Sequence, residues 1–188
     1  MDIESILRAK LGQTTIEDIV IPMNVYSALT SIQANGSNPG YSICAGFEES
    51  MANHVSMMDD DVFSGKNYNI KDAGYINYIV SAKASDGKDL DGAILIGKDG
   101  HIKHSGMYYD HSPKVTLQQM GLYGPKPMWK LFGFSQSVSS RHISAINGSY
   151  HMPTTFIFVL SEEHNTIRAF HRGKIIYSPV DAEMEDQI

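Results

Sequence analysis

The chain has 188 residues, of which 42% are hydrophobic and 19% are charged, and its formal net charge is -6. These values indicate one well-cored globular domain; they exclude a largely disordered chain and argue against a nucleic-acid polymer as partner. The single cysteine excludes an intrachain disulfide and zinc sites built from paired cysteines. No apolar run approaches the roughly 18 residues of a membrane span, and the acidic N-terminus lacks a signal-peptide pattern. We therefore expect a soluble, cytoplasmic protein without membrane partners.

The first part of the chain predicts two helices, one strand and an irregular stretch. Apolar residues recur at helical spacing over residues 2–11, and a second helix is predicted over 24–34, where glycine and proline follow. Residues 41–45 are a short apolar run bounded by glycines, typical of a buried strand. Residues 48–69 show no clear period. Their acidic triplet at 59–61 is interpreted as a solvated loop, not a metal site.

The middle of the chain predicts a helix, a hairpin and a further helix. A helix capped by Asp72 is predicted to extend to about residue 83. Residues 93–96 and the segment 101–106 flank a Gly-Lys-Asp-Gly turn, which is typical of a β-hairpin. Another helix is predicted over residues 113–122.

The last part of the chain completes the predicted sheet. A helix is predicted to start at Ser139 or Ser140. Residues 155–160 are almost continuously apolar, so this strand is expected to be central and covered on both faces. Residues 166–170 and 174–177 predict a closing hairpin. Helices interleaved with hairpins predict an α/β fold with a mixed central β-sheet flanked by helices.

The first candidate site is Asp91, Gly92 and Ala93, called here the DGA segment. Its carboxylate stands at the start of an apolar strand and suits Mg²⁺ or Mn²⁺, while the two small residues allow a ligand to approach the backbone. The alternative is a simple turn, since Asp-Gly is a common turn pair.

The second candidate site is Ser140, Arg141 and His142, called here the SRH segment. At a helix start, backbone N–H groups, a hydroxyl and a guanidinium favour a phosphate, and the imidazole is suited to hydrogen bonding or proton transfer. The alternative is a capped surface helix whose basic residues face water.

The third candidate site is Ser161, Glu162 and Glu163, called here the SEE segment. It follows the most hydrophobic strand, and its carboxylates are candidates to complete a metal site with Asp91. The alternative is a polar turn between two strands. Two adjacent tyrosines, Tyr108 and Tyr109, are suited either to stack on an adenine or to close the core.

In this order, the three segments resemble the diadenylate cyclase (DAC) domain, also found at the N-terminus of DNA-integrity scanning proteins. The resemblance covers residues 23–177 and is closest to archaeal-type members. It implies the DAC-domain fold over residues 23–178, preceded by an N-terminal helical extension (1–22) and followed by an acidic tail (179–188).

The resemblance also implies a role for each segment. The DGA segment would lie against the nucleotide, with Asp91 binding Mn²⁺ or Mg²⁺ and assisting the ribose 3′-hydroxyl. The backbone near Tyr108 and Tyr109 would read the adenine edge. The SRH segment would hold the triphosphate, with Arg141 and His142 in catalytic roles. In the SEE segment, Ser161 with Glu162 or Glu163 would help bind phosphate and metal, with Glu163 as the metal ligand.

The implied activity is the metal-dependent condensation of two ATP into cyclic di-AMP and two pyrophosphates, between two domains that meet face to face in a homo-oligomer. The sequence departs from the commonest bacterial pattern at three positions, one of which is Ser140, where that pattern has a threonine. Ile143 stands where that pattern has an arginine, and Ser139 stands where it has a glycine. The alternative is therefore a catalytically weak or inactive module on the same fold that binds or senses a nucleotide.

Overall fold

The computed structural model describes residues 2–11, 16–36, 39–72 and 74–185. Over these residues the chain forms a seven-stranded sheet. The strands are β1 (Tyr41–Phe47), β2 (Val55–Met57), β3 (Ala93–Gly97), β4 (Ile102–Tyr109), β5 (Phe156–Leu160), β6 (Ile167–His171) and β7 (Lys174–Tyr177). Their order across the sheet is β2-β4-β3-β1-β5-β6-β7.

Helices lie before, between and after these strands in the chain. They are α1 (Ile3–Leu11), α2 (Ile16–Asn35), α3 (Tyr75–Val80), α4 (Pro113–Gln119), α5 (Met128–Leu131), α6 (Ser140–His151) and α7 (Ala182–Glu185), with a 3-10 helix at Glu49–His54. Among the described helices, none combines the length and the apolar character that crossing a bilayer requires.

The sheet is mixed, as predicted. β1 and β3 are parallel, and every other neighbouring pair is antiparallel. All five residues of β5 are buried, and β5 lies between β1 and β6, which confirms the prediction of a central strand. The two predicted hairpins, β3–β4 and β6–β7, are also confirmed.

Two hydrophobic cores lie on opposite faces of the sheet because successive strand residues point to opposite sides. In β1, Ile43 and Ala45 pack with α1 and α2, whereas Cys44 and Phe47 pack on the face that α6 covers. The result is a three-layer arrangement of helices, sheet and helices. The helix α6 belongs to the helical layer opposite α1 and α2, and the candidate site forms at its start.

Three predicted elements differ from the observed ones. The second helix starts at Ile16 and continues through Pro22, because packing of its apolar face, including Ile19 and Val25, outweighs the cost of the proline. The helix predicted from Asp72 is restricted to α3 and begins after Gly74, which adopts a left-handed conformation. β2 lies within the stretch predicted to be irregular.

The acidic triplet at residues 59–61 is partly buried and ties loops together, contrary to the predicted solvated loop. The Asp59 carboxylate accepts a hydrogen bond from the backbone N–H of Asp91 at 3.1 Å. Asp60 accepts one from the N–H of Ser85 at 2.5 Å, and Asp61 accepts one from the N–H of Ser105 at 2.9 Å. The triplet thereby fixes the loop that carries the first candidate site.

Both ends of the chain contribute to the packed structure. Leu7 in α1 is fully buried, and α2 runs without a break across the predicted boundary at residues 22 and 23. Within the predicted acidic tail, Glu183 in α7 is fully buried and pairs with Arg168 at 2.7 Å. The domain limits drawn from the sequence stay predictions.

Candidate functional site

One pocket of about 600 Å³ collects two of the predicted segments. The whole DGA segment lines it, as do Tyr108 and Tyr109 at the end of β4 and two members of the SRH segment, Ser140 and Arg141. This volume is within the usual range for small-molecule sites. The pocket therefore brings together two predicted residues, Asp91 and Arg141, that are fifty positions apart in the sequence.

Close backbone contacts build the DGA side of the pocket. Gly92 has a φ of +87°, and a Cβ there would lie 2.7 Å from the carbonyl carbon of Gly106 and 2.9 Å from the backbone nitrogen of Met107. Only glycine fits this conformation and this spacing. Its N–H donates a 2.8 Å hydrogen bond to Oδ1 of Asp91, which orients that carboxylate at the pocket edge.

Arg141 in the first turn of α6 faces the Asp91 carboxylate. Its Nη2 lies 3.6 Å from Oδ1 of Asp91, and the two side chains are 24% and 58% exposed. A Cβ at Gly40 would collide with this guanidinium, so the absence of a side chain there makes room for it. At this distance and exposure the pair is loose and accessible to a ligand.

The members of the SRH segment separate into two environments. Ser140 is exposed at the start of α6, beside backbone N–H groups that a helix start leaves without intrahelical partners. His142 is buried and does not line the pocket: its ring bonds the Ser139 hydroxyl at 3.0 Å and lies 3.4 Å from Nη1 of Arg168. Burial lowers the pKa of His142 to about 4, and the nearby Arg168 guanidinium acts in the same direction. His142 therefore helps to fix the start of α6 through Ser139. Its predicted catalytic role stays a prediction.

The two tyrosines point to opposite faces of β4. Tyr108 is 44% exposed at the pocket mouth, whereas Tyr109 is buried with its ring against Gly148, where a Cβ would lie 2.6 Å from the ring. Tyr109 therefore contributes to the second core, and Tyr108 is available for stacking.

Buried polar atoms concentrate at this pocket. Among the described residues, four buried side-chain polar atoms lack a hydrogen-bond partner, and three of them belong to pocket residues: Ser42 Oγ, Tyr109 OH and Asn147 Oδ1. The Ser42 hydroxyl lies near that of Tyr109, but the two do not reach hydrogen-bond geometry. Unpaired buried polar atoms cost about 1–3 kcal/mol each, so this lining is suited to a polar ligand.

The SEE segment does not line the pocket. Ser161 is buried, and its Oγ accepts a hydrogen bond from the backbone N–H of His164 at 3.3 Å. Glu163 is exposed and lies 3.9 Å from the imidazole of His164. Glu162 is exposed beside Gly40, which in turn adjoins Arg141. The structure therefore does not bring Glu163 to Asp91 in this pocket, and the ligand roles of this segment stay predictions.

A cluster of three histidines was not found from the sequence. One ring nitrogen from each of three histidines, His54, His111 and His151, lies within 4.8 Å of the other two, and His111 also lines the pocket. No local sequence spacing predicts this cluster. Its histidines come together only where the pairing of β2 with β4 meets the end of α6. By contrast, His101 and His104 lie beside separate carboxylates, Asp99 and Asp61.

Solved structures that share this fold include the two described next. A hypothetical membrane spanning protein from Bacillus cereus aligns with a TM-score of 0.56 and 16% identity over 92% of this chain and 68% of its own. DacA from Staphylococcus aureus, a diadenylate cyclase solved as a double mutant, aligns with a TM-score of 0.51 and 17% identity over 90% of this chain and 93% of its own. No protein-family model matches the chain, and no curated protein matches its sequence. The likeness to DacA confirms the mixed α/β fold of a DAC domain, and at these identities it shows the fold alone.

Proposed function

We propose that this chain is a diadenylate cyclase that condenses two ATP into cyclic di-AMP and two pyrophosphates. The observation that carries the proposal is the convergence of the DGA segment, Tyr108 and Arg141 on one pocket of about 600 Å³ in a DAC-like fold. Each part of that lining matches a different part of a nucleotide.

Different walls of the pocket suit different parts of ATP. The exposed ring of Tyr108 and the backbone of β4 are suited to an adenine, which presents an aromatic face and a polar edge. The start of α6, with Ser140 and Arg141, is suited to the phosphates because N–H groups, a hydroxyl and a guanidinium all donate to anionic oxygens. The flat surface over Gly92 then leaves the ribose beside Asp91.

The Asp91 carboxylate fits a Mg²⁺ or Mn²⁺ ion that it would share with the phosphates. Both the Gly92 N–H and Arg141 contact its Oδ1, and within the described part of the chain Oδ2 has no hydrogen bond or ion pair. Such ions are commonly bound by one or two carboxylates together with substrate phosphates. When bound, the ion would neutralise phosphate charge and lower the pKa of a bound hydroxyl. Glu163 stays a proposed second ligand.

The reaction requires two chains. The 3′-oxygen of each ATP forms a bond to the α-phosphorus of the other, the bond from that phosphorus to the bridging oxygen of the β-phosphate breaks, and pyrophosphate leaves with the electron pair. The proton of each 3′-hydroxyl passes to a base, for which Asp91 is the candidate. Arg141 would stabilise the charge that develops on the phosphate oxygens.

Apolar side chains at the pocket mouth support a face-to-face arrangement. Met58, Tyr108 and Met128 line the pocket and are 57%, 44% and 39% exposed. Exposed apolar side chains grouped around a polar site are typical of an interaction surface. A second copy seated there would cover them and bring its own pocket opposite the first.

The test is incubation of purified protein with ATP and Mn²⁺ or Mg²⁺, with products identified by mass spectrometry. We expect cyclic di-AMP and pyrophosphate in a ratio of one to two. Absence of cyclic di-AMP over a range of metal and protein concentrations, in a protein that binds ATP, would overturn the cyclase proposal.

One observation favours a second candidate, a module that binds or senses a nucleotide without turnover. Ile143 lines the pocket at the position where the commonest bacterial pattern of the DAC family has an arginine. The pocket thus has one fewer cation for the triphosphate. Saturable binding of ATP or cyclic di-AMP by a self-associated protein, without product, would support this candidate.

A further inference from the structure

Three histidines from separate parts of the chain gather next to the pocket. Nδ1 of His54 lies 2.7 Å from Nε2 of His111, and the rings of His111 and His151 stack with their centroids 3.5 Å apart. One candidate ligand atom from each residue lies within 4.8 Å of the other two, and each imidazole is half-buried. The cluster contains no carboxylate, unlike the Asp91 side of the pocket.

The fold holds each histidine in place through contacts that do not depend on a ligand. The carbonyl of His54 accepts a 3.0 Å hydrogen bond from the N–H of Asp110, which continues the pairing of β2 with β4. The carbonyl of His111 accepts a 2.5 Å hydrogen bond from the side-chain amide of Asn147. His151 is the last residue of α6, and its Nε2 lies 2.8 Å from the hydroxyl of Thr116. The backbones of His54 and His111 and the ring of His151 are therefore held in place.

The chemistry of this set selects a transition metal. Imidazole nitrogens suit Zn²⁺, Co²⁺ or Ni²⁺, whereas Mg²⁺ prefers oxygen ligands. Zinc–nitrogen bonds of about 2.0–2.1 Å place tetrahedral ligand nitrogens roughly 3.4 Å apart, so side-chain adjustments within this cluster suffice. The C-terminal end of α6 also favours a cation at His151.

We propose that His54, His111 and His151 form a binding site for a divalent transition-metal ion of the zinc class, with three imidazole ligands and one open position. The site is separate from the Asp91 carboxylate and selects a different class of metal. Because His111 belongs to both the cluster and the pocket lining, the bound ion would lie at the pocket wall. The simpler alternative is an aromatic stack that only fills space.

Titration of metal-free protein tests this site without ATP. We expect wild-type protein, stripped with a chelator and desalted, to bind one equivalent of Zn²⁺ by calorimetry and to give the intense visible bands of tetrahedral Co²⁺. The variants His111→Gln and His151→Gln should each weaken Zn²⁺ binding by more than about 100-fold, beyond the usual effect of losing an outer-shell partner. His164→Gln, an exposed histidine elsewhere, is the matched control and should bind like wild type. Mg²⁺ should not compete for the site.

A thermal measurement keeps the test decisive if one variant folds poorly. Zn²⁺ should raise the Tm of wild type and of His164→Gln, but not that of either cluster variant, because only a ligand that binds the folded state stabilises it. Circular dichroism before metal addition identifies a variant that is unfolded, in which case His54→Gln replaces it. Weak wild-type binding that the cluster variants share would overturn the proposal. Since no readout uses turnover, this result is independent of whether the chain makes cyclic di-AMP.

Discussion

Two arginine–carboxylate pairs in this chain are close in space but opposite in character. Arg168 and Glu183 are 1% and 0% exposed and lie 2.7 Å apart, and the Ser135 and Ser178 hydroxyls also donate to the carboxylate. Arg141 and Asp91 are 24% and 58% exposed and lie 3.6 Å apart. We therefore call them the closed pair and the open pair.

The closed pair stabilises the fold, whereas the open pair is accessible to a ligand. Burial alone would raise the pKa of Glu183, but hydrogen bonds from Arg168 and Ser178 hold it below its usual value, as expected for a carboxylate with its bonding capacity filled. The open pair keeps acceptor and donor atoms for a ligand. Adjacent residues of α6 connect the two, since Arg141 faces the open pair and His142 contacts the closed one.

The largest effect is expected from neutralising the carboxylate of the open pair. Asp91→Asn nearly preserves the shape but removes the negative charge, so we expect cyclic di-AMP formation to fall by about 1000-fold or more while ATP binding and folding persist. Mass-spectrometric product assays and ATP calorimetry measure the two effects. Asp86→Asn, an exposed carboxylate in another ion pair, is the control and should retain activity. Normal turnover by Asp91→Asn would make Asp91 a turn residue only.

Neutralising the carboxylate of the closed pair should instead damage stability. Glu183→Gln leaves the Arg168 charge buried without a counter-charge, and we expect the free energy of unfolding to fall by about 3–5 kcal/mol. The matched control is Glu4→Gln, since Glu4 pairs with Arg8 at the same 2.7 Å but with side chains 49% and 48% exposed. That change should cost at most about 0.5 kcal/mol. Urea denaturation compares the two, and equal losses would contradict the distinction between closed and open pairs.

Much of the fold around these pairs was predictable because its signals are local. The apolar run of β5 predicted a buried central strand, and the Gly-Lys-Asp-Gly turn predicted the β3–β4 hairpin. β2 was missed because this three-residue edge strand pairs only with β4 and exposes Ser56 and Met57, which leaves no periodic pattern. The start of α2 was missed because Pro22 is a strong helix breaker that tertiary packing overrides.

The candidate site was predictable to the extent that its residue types have a chemical meaning by themselves. Asp91 and Arg141 stood out as a carboxylate and a guanidinium at the ends of predicted elements, and they meet in the pocket. The closed pair was not predicted, because Glu183 belongs to a segment with the composition of an acidic tail. The histidine cluster was not predictable either, since His54 and His111 are 57 residues apart and meet only through strand pairing.

A smaller effect should appear in the pH dependence of stability near the closed pair. His142 has a pKa of about 4 in the folded protein, against about 6.5 when unfolded. Between these values the unfolded state binds the proton and the folded state does not, so stability falls as the pH drops through this window. Arg168 opposes protonation of His142, and Glu183 favours it.

The variant His142→Gln removes this contribution. Between pH 7 and pH 5 we expect it to lose about 2 kcal/mol less stability than wild type does. Urea denaturation at several pH values measures the slope for wild type and for His142→Gln. Parallel slopes for wild type and His142→Gln would show that His142 is not held neutral by its surroundings.

The smallest effect should come from dilution, and it separates the two pairs most directly. In the proposed mechanism, a single chain with one bound ATP has no second α-phosphate within reach, so the open pair would need a second copy, whereas the closed pair is complete within one chain. Below the dissociation constant of the dimer, we expect turnover per chain to fall by up to about tenfold for each tenfold dilution, because the fraction of paired chains falls in proportion. The measured quantities are specific activity and molar mass by light scattering over the same dilution series.

Met58→Glu, at the pocket mouth, should shift both curves to higher concentration, since a charge replaces an exposed apolar contact. Circular dichroism, which reports the fold that the closed pair stabilises, should not change over the series. Constant specific activity in a demonstrated monomer would refute the two-chain mechanism, even if cyclic di-AMP is the product.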